Sequence, residues 1–224
     1  MKKGILILMQ VLLLPFPWSI RKYLLNFLSG FSIHKRAKIG ISIILADRVI
    51  MEEGALITHF NFVNKLDCLH MKTHSKIGRS NWVTGANSKA KMFSDSNRKC
   101  ELILGKHTRI TAKHHIDCTG GVYIGDFTTV AGIQSQILSH SVDIKLSKQV
   151  AGPVYIGKYC FIGTSSIILM GAQLPDYCVL GAGAVLNKKY EKSYQLYAGN
   201  PARMLKNLPQ KKYKYFKREH GHVA

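Results

Sequence analysis

The sequence predicts an all-β chain wound as a parallel β-helix, and three observations carry that expectation. One branched apolar residue recurs at six-residue intervals near the C-terminal end, at Ile156, Ile162, Ile168, Leu174, Leu180 and Leu186. Small residues follow it at Gly157, Gly163 and Gly181, and a second small or apolar group recurs four residues on, at Ser166, Ala172, Cys178 and Ala184. The same phase runs backward through Ile124 and Val130, Leu104 and Ile110, Ile77 and Val83, then Val63, Ile57, Met51, Leu45, Ile39 and Ile33. A helix repeats its buried face every ~3.6 residues and a strand every 2, so a period of six fits a short strand followed by a corner. No single unit buries its apolar side alone, which predicts one elongated stack of coils.

Residues 1–30 form a separate N-terminal segment. Lys2 and Lys3 precede the apolar run GILILMQVLLLPFPW, which is too short for the ~20 residues that span a bilayer as a helix. No small-x-small cleavage site follows, and Pro15 and Pro17 end the run. RKYLLNFLSG then predicts a short helix stopped by Gly30. Two roles fit an apolar, lysine-flanked helical segment: a cap over the open end of the coil stack, and peripheral contact with a membrane surface, the role this run favours.

The repeat occupies 31–206 and is broken by insertions. The phase is lost in LSHSVDIKLSKQVAGP, so residues 138–153 predict a loop that projects functional groups, with His140 at its start and Asp143 three residues on. An imidazole titrates near neutral pH, which suits His140 to accept a proton. An earlier cluster, AKHHIDC, holds His114, His115 and Asp117, and stacking of the coils could bring one of these to a site beside His140. Residues 207–224 form a basic tail with a short helical stretch, KKYKYFKREH, read as a solvated end.

Charge and cysteine usage bound the function. Against 12 acidic residues stand 32 Lys and Arg, a formal net charge of +20, which favours anionic partners. No zinc-finger, helix-turn-helix or RNA-recognition signature accompanies the charge, so nucleic acid is not the expected partner. The five cysteines include no CxxC pair, against a disulfide framework or a zinc site and consistent with a reducing cytoplasmic setting. Cys160 and Cys178 lie eighteen residues apart, one coil of three hexapeptides, and are expected to stack as small apolar fillers. The glycines of GAGAVL at 181–186 lack the spacing and the βαβ context of a dinucleotide or phosphate-binding loop.

The tract VYIGKYCFIGTSSIILMGAQLPDYCVLGAGAVLNK with the following YAGNPARMLK resembles the C-terminal half of the hexapeptide-repeat acetyltransferases, the group of maltose, galactoside and polysaccharide O-acetyltransferases. The resemblance is specific from about His140 to Lys206. It implies a left-handed β-helix with three hexapeptides per coil, a homotrimer with active sites between subunits, and acetyl-CoA as acyl donor with no metal required. His140 then becomes the general base and Asp143 the group holding its tautomer. The donor falls to Phe161, Thr164, Gly181, Ala182, Asn187, Lys188, Arg203 and Lys206, and the acceptor, a sugar or surface polysaccharide precursor, to His114, His115 and Asp117. Three other readings stay open: N-acetylation of an aminosugar nucleotide, a γ-carbonic-anhydrase-like zinc site built from His107, His114, His115 and His140, and a non-catalytic glycan-binding β-helix.

Overall fold

The computed structural model describes residues 3–93 and 97–223 of the 224-residue chain. Met1 and Lys2 of the N-terminal segment and Ala224 of the tail lie outside the described residues, as does the side chain of Lys3.

Short parallel strands wind into a prism of three faces. The first face stacks Ser32–Ile33, the distal halves of Ile43–Met51 and Phe62–Met71, then Glu101–Leu104, Val122–Ile124, Val154–Ile156 and Gln173–Leu174. The second carries Lys38–Ile39, Leu56–Ile57, Lys76–Ile77, Arg109–Ile110, Thr129–Val130, Phe161–Ile162, Val179–Leu180 and Gln195–Ala198, closed by the antiparallel Arg203–Asn207. The third carries the leading halves of Ile43–Met51 and Phe62–Met71, then Trp82–Thr84, His115–Asp117, Gln136–Leu138, Ile167–Ile168 and Val185–Leu186.

Each face contributes one inward aliphatic side chain per coil, and these side chains are the core. Ile124, Ile156 and Leu174 stack behind the first face, Ile110, Val130, Ile162 and Leu180 behind the second, and Ile116, Ile137, Ile168 and Leu186 behind the third; all are at most 3% exposed. Within the run from Ile33 to Val63 the six-residue phase slips at one place. Ile44, not Leu45, faces Val63 across the third face, because a register shift between Leu45 and Ala46 lets the strand run on around the corner to Met51. Cys160 and Cys178 are buried one coil apart, as the eighteen-residue spacing predicts.

Corners are tight, and several place a side chain in the left-handed region. His74, His107, Phe127, Tyr159, Tyr177 and Tyr194, all with φ between 54° and 58°, follow one another along the corner between the first and second faces. Their rings stack at centroid spacings of 4.6 to 5.3 Å. This ladder offsets part of the cost of about 1–3 kcal/mol that a non-glycine residue meets there. The tail is not a solvated end. It runs back along the ladder, where Phe216 is buried edge-on to Tyr177 and Tyr194, the Tyr215 hydroxyl donates to the Cys160 carbonyl at 2.8 Å, and the Arg218 guanidinium reaches the Phe127 carbonyl.

Two helices cover the N-terminal end. Helix α1 spans Lys3–Leu12 and docks on Ile43–Met51, where the buried Gln10 amide exchanges two 2.9 Å hydrogen bonds with the Ile44 backbone. Helix α2 spans Trp18–Ser29 and ends on Gly30 in the left-handed conformation. It buries Leu25, donates from Trp18 Nε1 to the Ala37 carbonyl at 2.9 Å, and ties Asn26 to Ile33. The inner sides of both helices therefore do the work of a cap.

Replacing Ile162, which is fully buried mid-stack, by Ala is expected to destabilise the fold by about 2–5 kcal/mol. A chemical-denaturation midpoint unchanged from the parent protein would contradict that packing.

Candidate active site

The site forms where the third face turns into the first. Asp117 ends the strand His115–Asp117 and pairs in register with Leu138, 21 residues later. Two residues beyond Leu138 the chain enters an antiparallel hairpin, His140–Asp143 against Lys148–Ala151, with His140 opposite Ala151 at its root. Stacking of adjacent coils thus sets His140 beside Asp117, and His140 Nδ1 lies 2.7 Å from Asp117 Oδ2.

Asp117 is held as a carboxylate from every side. Its side chain is 5% exposed. Oδ1 accepts from the Thr119 hydroxyl at 2.6 Å and the Thr119 amide at 3.3 Å, and Oδ2 accepts from the Ser139 amide at 2.9 Å. Burial raises the pKa of this group, but the hydrogen bonds from His140, Thr119 and Ser139 outweigh it and hold the carboxyl below its ordinary range. The hydrogen bond to Asp117 raises the His140 pKa above the ordinary imidazole value, with burial opposing. An ionised Asp117 places the imidazole proton on Nδ1 and leaves Nε2 as the basic nitrogen.

A second insertion builds the opposite wall through its described residues, 85–93 and 97–100. Phe93, buried at the end of the turn Lys91–Phe93, presents its ring to His140 at 6.1 Å and 85°. The Arg98 guanidinium lies over that same ring at 4.6 Å and donates to the carbonyls of Ala86, Asn87 and Thr119. Arg98 thereby ties the insertion to the turn that carries Thr119, an Asp117 partner. A groove of about 470 Å³ elsewhere, lined by His74, His107 and His220, lies on the aromatic corner and away from this site.

Asp143 does not hold the imidazole. It sits three residues along the hairpin, about 10 Å away at strand spacing, opposite Lys148, and its Oδ1 accepts the Leu146 amide at 3.0 Å to close the turn. His114 is also placed otherwise than an acceptor-binding role requires. It is 2% exposed, its Nδ1 accepts the Ser135 amide, and its Nε2 meets the Thr111 hydroxyl, so it is a rung in an internal polar ladder. Burial lowers its pKa to about 4, which keeps it neutral. His115 lies exposed on the third face beside Trp82. Of the acceptor cluster, only Asp117 reaches His140.

The residues expected to bind the donor are distributed around the prism. Thr164, Gly181 and Ala182 lie together on the corner between the second and third faces, where Thr164 Oγ1 donates to the Ile133 carbonyl at 2.8 Å. Coils approach so closely here that a Cβ on Gly163 would lie 2.5 Å from the Ala182 nitrogen. Phe161 is on the second face with Tyr215 of the tail edge-on to its ring. Asn187 and Lys188 follow the last third-face strand, on the His140 corner but two coils beyond it, and Lys188 lies over the Tyr190 ring. Arg203 and Lys206 are exposed on the closing antiparallel strand. The four histidines of a zinc reading are scattered: His107 on the aromatic corner, His114 inside, His115 on the third face and His140 in the hairpin. Among the described residues no cluster of His, Cys, Asp or Glu is arranged to hold a metal ion.

Known proteins share this architecture. Residues 153–188 match the sequence family described as the hexapeptide repeat of succinyl-transferase. The polysialic acid O-acetyltransferase OatWY is 16% identical, with 79% of this chain and 84% of that one covered at a TM-score of 0.60. A hexapeptide-repeat-containing acetyltransferase from Vibrio cholerae O1 biovar eltor, solved in complex with acetyl coenzyme A, is 20% identical, with 70% and 72% covered at a TM-score of 0.50. Among curated protein sequences none matches. Residues 153–188 carry a hexapeptide repeat, and the chain folds as a left-handed parallel β-helix.

Asp117→Asn removes the charge that raises the His140 pKa. A proton NMR titration of the imidazole is expected to move toward its ordinary midpoint near 6.5; an unmoved midpoint would show that the pair is not coupled.

Proposed function

We propose that the protein is an acyl-CoA-dependent O-acetyltransferase that uses the His140–Asp117 pair as its proton-transfer unit and takes a hydroxyl of a sugar or polysaccharide precursor as acceptor. The observation that carries this reading is the 2.7 Å contact between a buried, fully solvated-by-protein carboxylate and a half-exposed imidazole at the root of a projecting hairpin. A buried Asp that fixes one imidazole nitrogen and leaves the other basic is what general-base activation of a hydroxyl requires. The fold shared with acetyltransferases, one of them solved with acetyl coenzyme A, supports the choice of donor.

The reaction is a direct transfer. The acceptor oxygen attacks the thioester carbonyl of acetyl-CoA as His140 Nε2 takes the hydroxyl proton. The tetrahedral intermediate collapses with cleavage of the C–S bond, and the imidazolium returns the proton to the departing thiolate. Asp117 stays ionised throughout and stabilises the imidazolium, while Phe93 and the Arg98-anchored insertion wall off one side of the ring.

The geometry also favours a homotrimer. His140 lies on the corner between the third and first faces, and Thr164, Gly181 and Ala182 on the corner between the second and third. Both corners flank the third face, so one subunit keeps them apart. Three copies around a threefold axis with the third face inward would set the His140 corner of each against the Thr164 corner of the next. The third face and its Thr164 edge expose Phe60, Trp82 and Ile133, apolar side chains suited to such an interface.

His140→Ala is expected to lower kcat by about 100-fold or more in an acetyl-CoA assay with saccharide acceptors, while Asp143→Ala stays within a few-fold of the parent. Full activity in His140→Ala would refute the base assignment, and absence of acyl-CoA binding by calorimetry would refute the donor. The base works only when neutral, so kcat/KM is expected to rise with pH and level off above the raised His140 pKa. Asp117→Asn is expected to move that rise to lower pH and to lower the plateau by about 10- to 10,000-fold; an unchanged profile would contradict the paired mechanism.

A further inference from the structure

The N-terminal end of the prism carries a surface that acyl transfer does not use. Helices α1 and α2 each bury one side, through Leu6 and Gln10 on α1 and Leu25 on α2, and leave the other open. Leu8 is 59% exposed, Leu12 62%, Tyr23 66% and Phe27 74%, and Ile5 and Phe16 are exposed with them. Tyr23 and Phe27 stack at 6.1 Å, forming one apolar ridge along the outer side of α2. Capping the coils accounts for the inner sides of these helices and not for the outer ones.

The charge around this end is predominantly positive, with Glu53 and Asp47 as its nearby carboxylates. No Asp or Glu precedes Asp47 in the sequence, whereas Arg21, Lys22, Lys35, Arg36 and Lys38 all do. Arg36 pairs with Glu53, and the Lys22 ammonium donates to the Lys35 carbonyl. Among the described residues no carboxylate pairs with the exposed Lys35 or Lys38. Helices of 10 and 12 residues reach about 15 and 18 Å, roughly half of the hydrocarbon thickness, and no helix of the described residues is long and apolar enough to cross a membrane.

We propose that this end of the prism is a docking surface for an anionic lipid bilayer, with the outer residues of α1 and α2 entering the interface and Lys22, Lys35 and Lys38 meeting the headgroups. Apolar residues with cations at their border match the two halves of such an interface. A second copy of the same end carries the same charge and repels it, so end-to-end pairing is disfavoured. In the trimer proposed above the three prisms run side by side, which sets three such ends on one side of the particle. That multiplication rests on the trimeric reading, and docking through a single copy does not.

The test is flotation of the full-length protein with vesicles of phosphatidylcholine alone and of phosphatidylcholine mixed with phosphatidylglycerol, with mass in solution followed by sedimentation velocity. Flotation is expected with the anionic vesicles and to weaken as salt rises. Leu8→Gln with Phe27→Gln is expected to weaken partitioning more than tenfold, and Lys35→Ser by about fivefold, with particle mass and acyl-CoA binding retained as evidence of folding. Absence of flotation would overturn the proposal, whether the particle mass is unchanged or doubled by end-to-end pairing. Equal flotation with neutral and anionic vesicles, or flotation of the Leu8→Gln, Phe27→Gln protein at the parent level, would overturn it too. Loss of transferase activity with flotation intact would touch only the catalytic reading.

Discussion

Every coil in this chain needs the next one. A hexapeptide contributes one aliphatic side chain and a strand of two or three residues, too little to bury itself, so the coils persist only as a stack whose inward residues and main-chain hydrogen bonds are completed by neighbours. The same requirement fixes where everything else lies. Within the repeat a residue's height is set by its coil and its direction by its place within the strand, so outward side chains far apart in sequence meet when they are one coil apart on the same face. Asp117 and His140 meet for that reason. The helices at one end and the closing antiparallel strand at the other cover the two coils that lack a neighbour.

The stacking rule also marks what the sequence made legible. The period of six, with Ile156 through Leu186 all inward, gives the fold because a buried aliphatic ladder has no other economical explanation. Loss of that period after Ile137 gives the hairpin and His140. Asp117 is harder to place from the sequence, because the coil linking it to Leu138 spans 21 residues rather than eighteen, lengthened at the Cys118–Gly121 turn and again between Val130 and Ile137. Without that coil length Asp143, near in sequence and compatible in chemistry, is the natural partner, yet strand geometry carries it along the hairpin and away. His114 illustrates the converse. Its residue type suggests a site, but the parity of its position turns it inward, where amide and hydroxyl partners leave it neutral and spent.

Phe93, Arg98 and the tail were illegible for a different reason. They belong to segments without the repeat, and their positions follow from contacts made by folding back: a guanidinium that collects three carbonyls from two turns, and a Phe216 that seats on rings stacked by the corner conformation. A run of Lys, Tyr and Phe carries no periodic signal that distinguishes such a strap from a solvated end. The donor residues show a further limit. Their likeness to a known tract assigned them together, whereas the prism separates Thr164, Gly181 and Ala182 from His140 by one face, so the cleft proposed above calls for a neighbouring copy.

That separation makes the account testable in one measurement. Two variants are prepared, His140→Ala and Ala182→Phe, the second placing a bulky ring on the exposed donor corner. Each alone is expected to be nearly inactive. When the two are unfolded together and reassembled, mixed particles contain clefts that combine an intact His140 from one subunit with an intact Ala182 from its neighbour, and acetyl transfer is predicted to return to a substantial fraction of the parent rate. Mixed particles that assemble and stay as inactive as either variant alone would contradict the central claim that the site is completed between subunits.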